Sequence, residues 1–277
     1  MGKGSKGTSG GLTAPPRRGA IGLEAKFMRI VGIIPARYQS SRFPGKPLVD
    51  ILGKPMIRHV YERSARAGCL DRLIVATDDA RIAAAVAGFG GEALLTRADH
   101  ASGTDRLAEA ARLLELDGAD IVVNIQGDEP LVNHRMIEAL VEALQCDRHC
   151  PMATLAFPSE SLQDYNNPNV VKVVLDRGLR ALYFSRAPIP FVRDGAADAP
   201  AFLKHLGFYA YSASFLQTFS RLPPGRLEGL EKLEQLRALE HGYGIRVALS
   251  PVDTRGVDTP EDLEAVVPVL AQDAVGA

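Results

Sequence analysis

A cationic loop after the first predicted strand is the strongest candidate for chemistry in this sequence. Residues 30–34 form an apolar run typical of a buried strand, and the segment 35–47 that follows carries Arg37, Arg42 and Lys46. Backbone N–H groups and cationic side chains of such a loop can converge on one polyphosphate. Open α/β sheets bind ligands at the carboxyl ends of their strands. The segment therefore predicts a polyphosphate site, with a solvated basic loop as the alternative.

This loop matches neither of the common phosphate-binding motifs. Ser40 stands where a Walker A motif would have its first glycine, and no GxGxxG pattern follows the strand. A dinucleotide-dependent dehydrogenase is therefore disfavoured.

Two aspartates are candidates for a metal site beside the loop. Asp128 follows the apolar run 121–125, which places it at the same edge of the predicted sheet, and Asp258 precedes a helix start near the C-terminus. Carboxylates from separate segments commonly hold Mg²⁺ against phosphate oxygens. Each aspartate has an alternative role as a helix cap, Asp128 before the helix that contains Met136 and Asp258 before Pro260.

A polar turn at Ser102 and Gly103 opens another predicted helix, where free N–H groups suit a phosphate or a base. The alternative is an ordinary cap, in which case Arg106 would be a surface charge. A lone histidine among apolar neighbours is more often a hydrogen-bonded core residue than a ligand. Three later polar residues lie in such surroundings and indicate no particular function by themselves: Arg186, His205 and Tyr209.

The elements that must position these residues alternate between strand and helix. Strands are predicted at 30–34, 73–76, 93–95, 121–125 and 153–156, and helices at 57–65, 81–87, 106–116 and 137–144. This rhythm predicts an α/β fold with a mostly parallel central sheet flanked by helices. Closely spaced strands at 170–175, 181–184 and 206–210 indicate a smaller mixed-strand second lobe, and the end of the chain reads as a helix at 230–240, a strand at 245–249 and a helix from residue 260.

Composition sets the class of protein. The 277 residues have a net charge of −1, so nothing global indicates nucleic acid or an anionic membrane as a partner, and no apolar run is long enough to span a membrane. Three cysteines without a CxxC pair favour a reducing, cytoplasmic setting. Residues 1–27 are predicted to be disordered, and residues 28–277 a single domain with a lobe at about 157–228.

Several motifs in a consistent order carry a resemblance to a known family. They are IIPAR at 33–37, PGKPL at 44–48, VATD at 75–78, TRADH at 96–100, VNIQGDEP at 123–130, NPN at 167–169, LYFSR at 182–186, HLG at 205–207 and VDTPEDL at 257–263. Together they resemble the 3-deoxy-manno-octulosonate (KDO) cytidylyltransferases over residues 29 to 265. The resemblance implies a nucleotide-diphospho-sugar transferase fold, a homodimer formed through the second lobe, Mg²⁺, and the reaction of CTP with KDO to give CMP-KDO and pyrophosphate for lipopolysaccharide assembly.

The resemblance also implies roles for individual residues. The nucleotide would contact Pro35, Ala36, Arg37, Arg42, Lys46, Ser102, Gly103 and Arg106. Mg²⁺ would bind Asp128 and Asp258, which with Arg37 and Lys46 form the catalytic group. The sugar would contact Gln126, Arg186, His205, Tyr209, Glu234 and Gln235, with Arg186 as the partner of its carboxylate. The alternatives are a cytidylyltransferase for a nine-carbon sialic acid and a non-catalytic nucleotide-binding module.

Overall fold

The computed structural model describes residues 1–2, 27–39, 43–193 and 201–275. The predicted disorder of the N-terminal segment concerns residues that lie almost wholly outside these ranges, and Arg42 lies outside them as well. The segment 188–200 is rich in proline, alanine, glycine and aspartate, a composition that predicts an exposed loop, and part of it also lies outside the described residues.

The order of elements follows the predicted alternation of strands and helices. The strands are β1 Ile30–Ala36, β2 Asp50–Ile51, β3 Lys54–Pro55, β4 Arg72–Thr77, β5 Glu92–Leu95, β6 Ile121–Asn124, β7 Met152–Ser159, β8 Lys172–Leu175, β9 Ala181–Ser185, β10 Phe202–Ser212 and β11 Ile245–Leu249. The helices are α1 Met56–Ser64, α2 Ala80–Gly88, α3 Gly103–Leu113, α4 His134–Cys146, α5 Leu162–Asn166, α6 Ala213–Phe219, α7 Arg226–Glu231, α8 Leu236–Glu240 and α9 Pro260–Val275, with a short 3-10 helix at Lys46–Leu48.

The main sheet has the strand order β11-β7-β10-β6-β1-β4-β5, and β8 and β9 extend it from β10. Strands β6, β1, β4 and β5 run parallel, as do β7 and β11, whereas β10 lies antiparallel between β6 and β7. The predicted mostly parallel central sheet flanked by helices is therefore confirmed, and the strands predicted for a smaller mixed-strand lobe pair antiparallel, β8 with β9 and with β10. Parallel neighbours bring their carboxyl ends to one edge, and β1, β4 and β6 supply that edge here.

Alternating side chains of the central strands fill the two faces of the sheet. Val31 and Ile33 of β1 belong to one buried cluster with residues of α3 and α6, whereas Ile34 and Ala36 belong to a second cluster with residues of α1, α2 and α4. Both faces of β1 are covered, which explains why its sequence is an unbroken apolar run.

One predicted helix is interrupted, and the helix predicted at 106–116 is displaced to Gly103–Leu113. The segment predicted as a helix at 230–240 is two short helices, α7 and α8, because Lys232 adopts a left-handed conformation (φ 54°, ψ 46°) at the end of α7. A left-handed residue cannot continue a right-handed helix. No described helix is long and apolar enough to cross a membrane.

Candidate active site

A cavity of about 320 Å³ lies at the sheet edge where β1 and β6 end. It is lined by Pro35, Ala36, Arg37, Lys46, Pro47, His100, Ser102, Gly103, Arg106, Gln126, Gly127, Asp128 and Asp258. The structure therefore brings together every predicted nucleotide and metal residue that it describes. Segments from the start and middle of the chain meet there because parallel strands share an edge, and the segment before α9 adds Asp258 from near the end of the chain.

Two glycines, Gly127 in the cavity lining and Gly45 next to Lys46, allow the backbone to approach closely. A Cβ atom at Gly127 would lie 2.8 Å from the carbonyl oxygen of Pro35, so a larger residue would push the end of β6 away from β1. Gly45 has a φ of +72° and packs against the ring of Tyr38, whose carbonyl oxygen accepts a 2.9 Å hydrogen bond from the Gly45 N–H. This contact joins the two described parts of the segment 35–47 and sets the direction of the residue that follows Gly45, Lys46.

Lys46 connects the two predicted metal ligands. Its Nζ donates to Asp128 Oδ2 at 2.7 Å, to Asp258 Oδ1 at 3.1 Å and to the carbonyl oxygen of Val257 at 2.8 Å. The lysine side chain is 12% exposed, so its three N–H groups are directed by these acceptors more than by water. Two carboxylates from distant segments thus converge on one cationic centre.

Other residues supply cap hydrogen bonds at the helices next to the two aspartates. Asn133 caps α4 by accepting a 3.0 Å hydrogen bond from the Arg135 N–H, so the capping alternative for Asp128 is wrong. At the start of α9, Thr259 and Asp262 exchange hydrogen bonds in the manner of a capping box. The Asp258 carboxylate is thereby directed to Lys46.

Glu129, next to Asp128, does not line the cavity but is hydrogen-bonded to a residue near the C-terminus, Thr254. Its Oε2 accepts a 2.7 Å hydrogen bond from the hydroxyl of Thr254. Burial raises the pKa of Glu129 to about 8, a shift that the Thr254 hydrogen bond opposes and the Asp128 charge reinforces. The Val257 N–H donates to the Asp128 carbonyl oxygen at 2.8 Å, so the segment before α9 is bonded twice to the end of β6.

The N-terminus of α3 forms the opposite wall. Ser102 caps the helix and forms a capping box with Asp105, as the cap alternative predicted, and Ser102 and Gly103 also line the cavity. Arg106 is only 4% exposed, so its prediction as a surface charge is wrong. Its guanidinium donates to Thr96 Oγ1 at 2.5 Å and lies 3.2 Å from Asp78. The buried guanidinium therefore has a fixed orientation beside the cavity.

A histidine that was assigned no role also lines the cavity. His100 is hydrogen-bonded to Glu109 of α3, and the Arg97 N–H donates to the same carboxylate at 2.9 Å. Burial acts to raise the pKa of Glu109, but the hydrogen bonds from His100 and Arg97 outweigh it and lower that pKa. No local pattern relates positions 100 and 109, and the contact exists only because the loop folds back on the helix.

The residues assigned to the sugar lie on the side of β10. Gln126 lines the cavity, and its amide donates to the Gly207 carbonyl oxygen at 2.7 Å. The rings of His205 and Tyr209 are 5.6 Å apart on β10, and His205 Nε2 is 2.9 Å from the hydroxyl of Thr154. Burial lowers the pKa of His205 to about 3, which keeps the ring neutral, and raises the pKa of Tyr209.

The remaining assigned residues belong to the α7–α8 region and to the end of β9. The Thr104 hydroxyl donates to Glu234 at 2.6 Å, which joins this region to α3, and burial raises the pKa of Glu234. Gln235 is 3% exposed, and its side-chain nitrogen has no hydrogen-bond partner among the described residues. The Arg186 guanidinium donates to the carbonyl oxygens of Glu231 and Pro168 at 2.7 and 2.9 Å. His205, Tyr209, Glu234, Gln235 and Arg186 are not among the cavity-lining residues.

Comparison with known proteins decides the family. A family model described as cytidylyltransferase matches residues 31–247. The chain is 57% identical over 246 residues to the 3-deoxy-manno-octulosonate cytidylyltransferase of Syntrophotalea carbinolica, which covers 86% of this chain and 97% of that protein. The chain belongs to the cytidylyltransferase family.

Two further comparisons support the assignment of this chain to the cytidylyltransferases. The 8-amino-3,8-dideoxy-manno-octulosonate cytidylyltransferase of Shewanella halifaxensis is 55% identical over 89% of this chain and 100% of its own length. A solved structure of CMP:2-keto-3-deoxy-manno-octonic acid synthetase complexed with CTP has a TM-score of 0.83 and 47% identity over 88% of this chain and 99% of that chain. The resemblance to this family and the predicted enzyme class are confirmed, and the sialic acid and non-catalytic alternatives are not favoured.

Proposed function

We propose that this protein transfers CMP from CTP to KDO and releases pyrophosphate. The observation that carries the proposal is the convergence of Lys46, Asp128 and Asp258 with the N-terminus of α3 in one cavity. This arrangement suits a nucleoside triphosphate, and the two curated relatives named above are cytidylyltransferases for octulosonate sugars. The non-catalytic alternative would need no pair of carboxylates positioned around one cation.

The donor set of Asp128 and Asp258 fits Mg²⁺. Both carboxylates have an oxygen within 3.1 Å of the Lys46 ammonium, so a single cation can contact them together. Mg²⁺ typically takes one or two protein carboxylates and completes its octahedron with water and substrate phosphates. When bound there, Mg²⁺ would polarise the α-phosphate and offset the charge that develops on it.

The chain's own residues would bind and orient the triphosphate. Arg37 is exposed at the cavity, and Lys46 offers three N–H donors that phosphate oxygens can accept in place of carboxylates. The N-terminus of α3 at Gly103 and the fixed guanidinium of Arg106 would contact the nucleotide at the opposite wall, where the Ser102 N–H already donates to Asp105 at 3.2 Å. Positioning and charge neutralisation are the main tasks of a protein in phosphoryl transfer.

The chemical step would be a direct displacement. The anomeric hydroxyl oxygen of KDO attacks the α-phosphorus in line, the bond from this phosphorus to the pyrophosphate oxygen breaks, and the hydroxyl proton passes to solvent water. Lys46 would offset the negative charge on the departing pyrophosphate. No covalent intermediate with the protein is required.

The sugar would be held on the β10 side of the cavity. Three Arg186 donors contact main-chain oxygens, so a guanidinium with five N–H groups keeps two for a carboxylate. The unpartnered amide nitrogen of the buried Gln235 is a second group that a sugar oxygen would satisfy. Gln126, His205, Tyr209 and Glu234 complete the proposed sugar-binding set.

The proposed setting is cytoplasmic lipopolysaccharide synthesis by a homodimer. The three free cysteines suit a reducing compartment. Large exposed apolar side chains on the second lobe, Leu162, Leu182 and Phe191, offer a surface that a second copy would cover. Light scattering of the wild type and a Leu182→Glu variant tests the dimer, which requires twice the chain mass in the wild type and a shift toward monomer in the variant.

Pyrophosphate release measured across a panel of acidic sugars and nucleotides tests the proposed reaction. We expect turnover with CTP, KDO and Mg²⁺, and none with a nine-carbon sialic acid. Because a relative at 55% identity acts on the 8-amino analogue of KDO, that sugar belongs in the panel as the second candidate substrate. Tight CTP binding without pyrophosphate release from any sugar would refute the proposal.

A further inference from the structure

We propose that the hydrogen bond between Glu129 and Thr254 positions Asp258 for metal binding. The inference rests on the proposed function, since it concerns the Mg²⁺ assigned to Asp128 and Asp258. It adds Glu129 and Thr254 as positioning residues, neither of which contacts the nucleotide or the sugar in that proposal.

The two carboxylates reach the cavity by different routes. Asp128 follows β6, which is paired with β1 and β10 in the middle of the sheet. Asp258 lies between β11 and α9, in a segment that forms no strand with the sheet. A segment without ladder hydrogen bonds needs other contacts to hold a side chain within a few tenths of an ångström.

The Thr254 hydroxyl supplies one such contact. It donates to Glu129 Oε2 at 2.7 Å, and Thr254 is 7% exposed, so water competes little for this bond. Gly256 lies against the same carboxyl group, where a Cβ atom would be 3.2 Å from Glu129 Oε1. Glu129 is adjacent to Asp128 in the chain, and Thr254 is four residues before Asp258. The bond therefore fixes the distance between the two segments that carry the metal ligands.

Val257 supplies the second contact. Its N–H donates to the Asp128 carbonyl oxygen at 2.8 Å, and its side chain is fully buried in a small cluster with Ile51, Met56 and Val266. The side-chain and main-chain bonds lie on either side of Gly256, so they hold this short segment at two points. Loss of the Thr254 bond should loosen the segment without detaching it.

Thr254→Val tests the inference because it removes the hydroxyl and keeps the shape of the side chain. Thr254→Ser keeps the donor and Glu129→Gln keeps an acceptor. Thr218→Val is a control for hydroxyl deletion at an exposed position on α6, where Thr218 donates to the Ser214 carbonyl oxygen. Mn²⁺ binding to each protein in the presence of CTP, measured by electron paramagnetic resonance without sugar, reports the metal site independently of turnover. Hydrogen exchange of the Val257 amide reports attachment of the segment.

We expect the Mn²⁺ dissociation constant of Thr254→Val to rise by about tenfold, the usual scale for loss of a group that orients a metal ligand. The Val257 amide should exchange at least several times faster. Thr254→Ser, Glu129→Gln and Thr218→Val should stay within about threefold of the wild type in Mn²⁺ affinity, since each preserves the bond or lies far from it.

An unchanged Mn²⁺ affinity and an unchanged Val257 exchange rate in Thr254→Val would refute the positioning role while leaving the proposed reaction intact. If the wild type itself binds no Mn²⁺ with CTP, the proposed metal site fails instead. Should Thr254→Val not fold, Glu129→Met removes the same bond from the other side and must show the weaker Mn²⁺ binding for the inference to stand.

Discussion

Replacement of Lys46 by methionine should have opposite effects on catalysis and on metal binding without nucleotide. Methionine keeps most of the length of the side chain and removes the ammonium that contacts Asp128 at 2.7 Å and Asp258 at 3.1 Å. It also leaves the Val257 carbonyl oxygen without its 2.8 Å donor. The variant therefore separates the charge of the residue from its packing.

The expected loss in kcat is about 10²–10³-fold, the scale measured when one preorganised charge contact to a transition state is removed. The loss of stability should be small, because the partner side chains are 34% and 49% exposed. Ion pairs of that exposure contribute about 1 kcal/mol or less. This corresponds to a fall in Tm of about 2–4 °C.

Mn²⁺ binding in the absence of CTP should become at least tenfold tighter in this variant. The Lys46 ammonium and a divalent cation compete for the same carboxylate oxygens, and tenfold is about 1.4 kcal/mol. Two unit charges about 4 Å apart interact by roughly 4 kcal/mol near a protein surface, so removal of the ammonium can supply this amount.

Steady-state pyrophosphate release, differential scanning calorimetry and Mn²⁺ titration measure the three quantities. Lys54→Met is the matched control, because Lys54 pairs with Glu62 at 2.7 Å on the surface and lines no part of the cavity. It should leave kcat and Mn²⁺ affinity within twofold of the wild type. A Lys46→Met variant with kcat within threefold of the wild type, or with weaker Mn²⁺ binding, would refute the reasoning.

Three other predictions follow from the site. Asp128→Asn should lower kcat by about 10²–10³-fold at saturating CTP and KDO, because it removes one carboxylate from the proposed metal site, and near-normal turnover would contradict that assignment. Arg186→Ala should raise the KM for KDO at least tenfold and leave the KM for CTP within threefold. An equal rise in both constants would contradict the assignment of Arg186 to the sugar site. Burial lowers the pKa of His205 to about 3, whereas a histidine in the unfolded chain titrates near its ordinary value of about 6.5. Between these two pH values the unfolded state binds a proton that the folded state does not. His205 should therefore reduce the free energy of unfolding as the pH falls from about 6.5 to 3. His205→Gln should therefore show a shallower loss of Tm over that interval, and a parallel pair of curves would show that the histidine is not held neutral.

Local patterns were sufficient for most elements of the fold. The apolar run of β1 and the spacing of apolar residues in α4 involve neighbours in sequence, so strand and helix could be predicted without knowledge of the tertiary structure. The break between α7 and α8 at Lys232 could not be predicted from local patterns. Left-handed residues other than glycine are uncommon, and no glycine or proline marks the break.

Burial of charged residues could not be predicted in this way. Arg106 has the sequence context of an exposed helical arginine, yet Asp78 from the end of β4 and Thr96 from the loop after β5 enclose its guanidinium. These partners come from separate segments that become neighbours only when β4 lies between β1 and β5. The pairing of His100 with Glu109 depends likewise on how one loop folds back on α3.

The sequence by itself determined that a cationic loop ends the first strand, that Asp128 ends another, and that both belong to a parallel α/β sheet. These features are short-range, because strand ends and helix starts are encoded by adjacent residues. Only the tertiary structure decided that Asp258 meets Asp128 across Lys46, that Thr254 holds Glu129, and that β10 enters the sheet antiparallel. Contacts between residues more than eighty positions apart depend on strand order and on the packing of α9, and no local pattern specifies them.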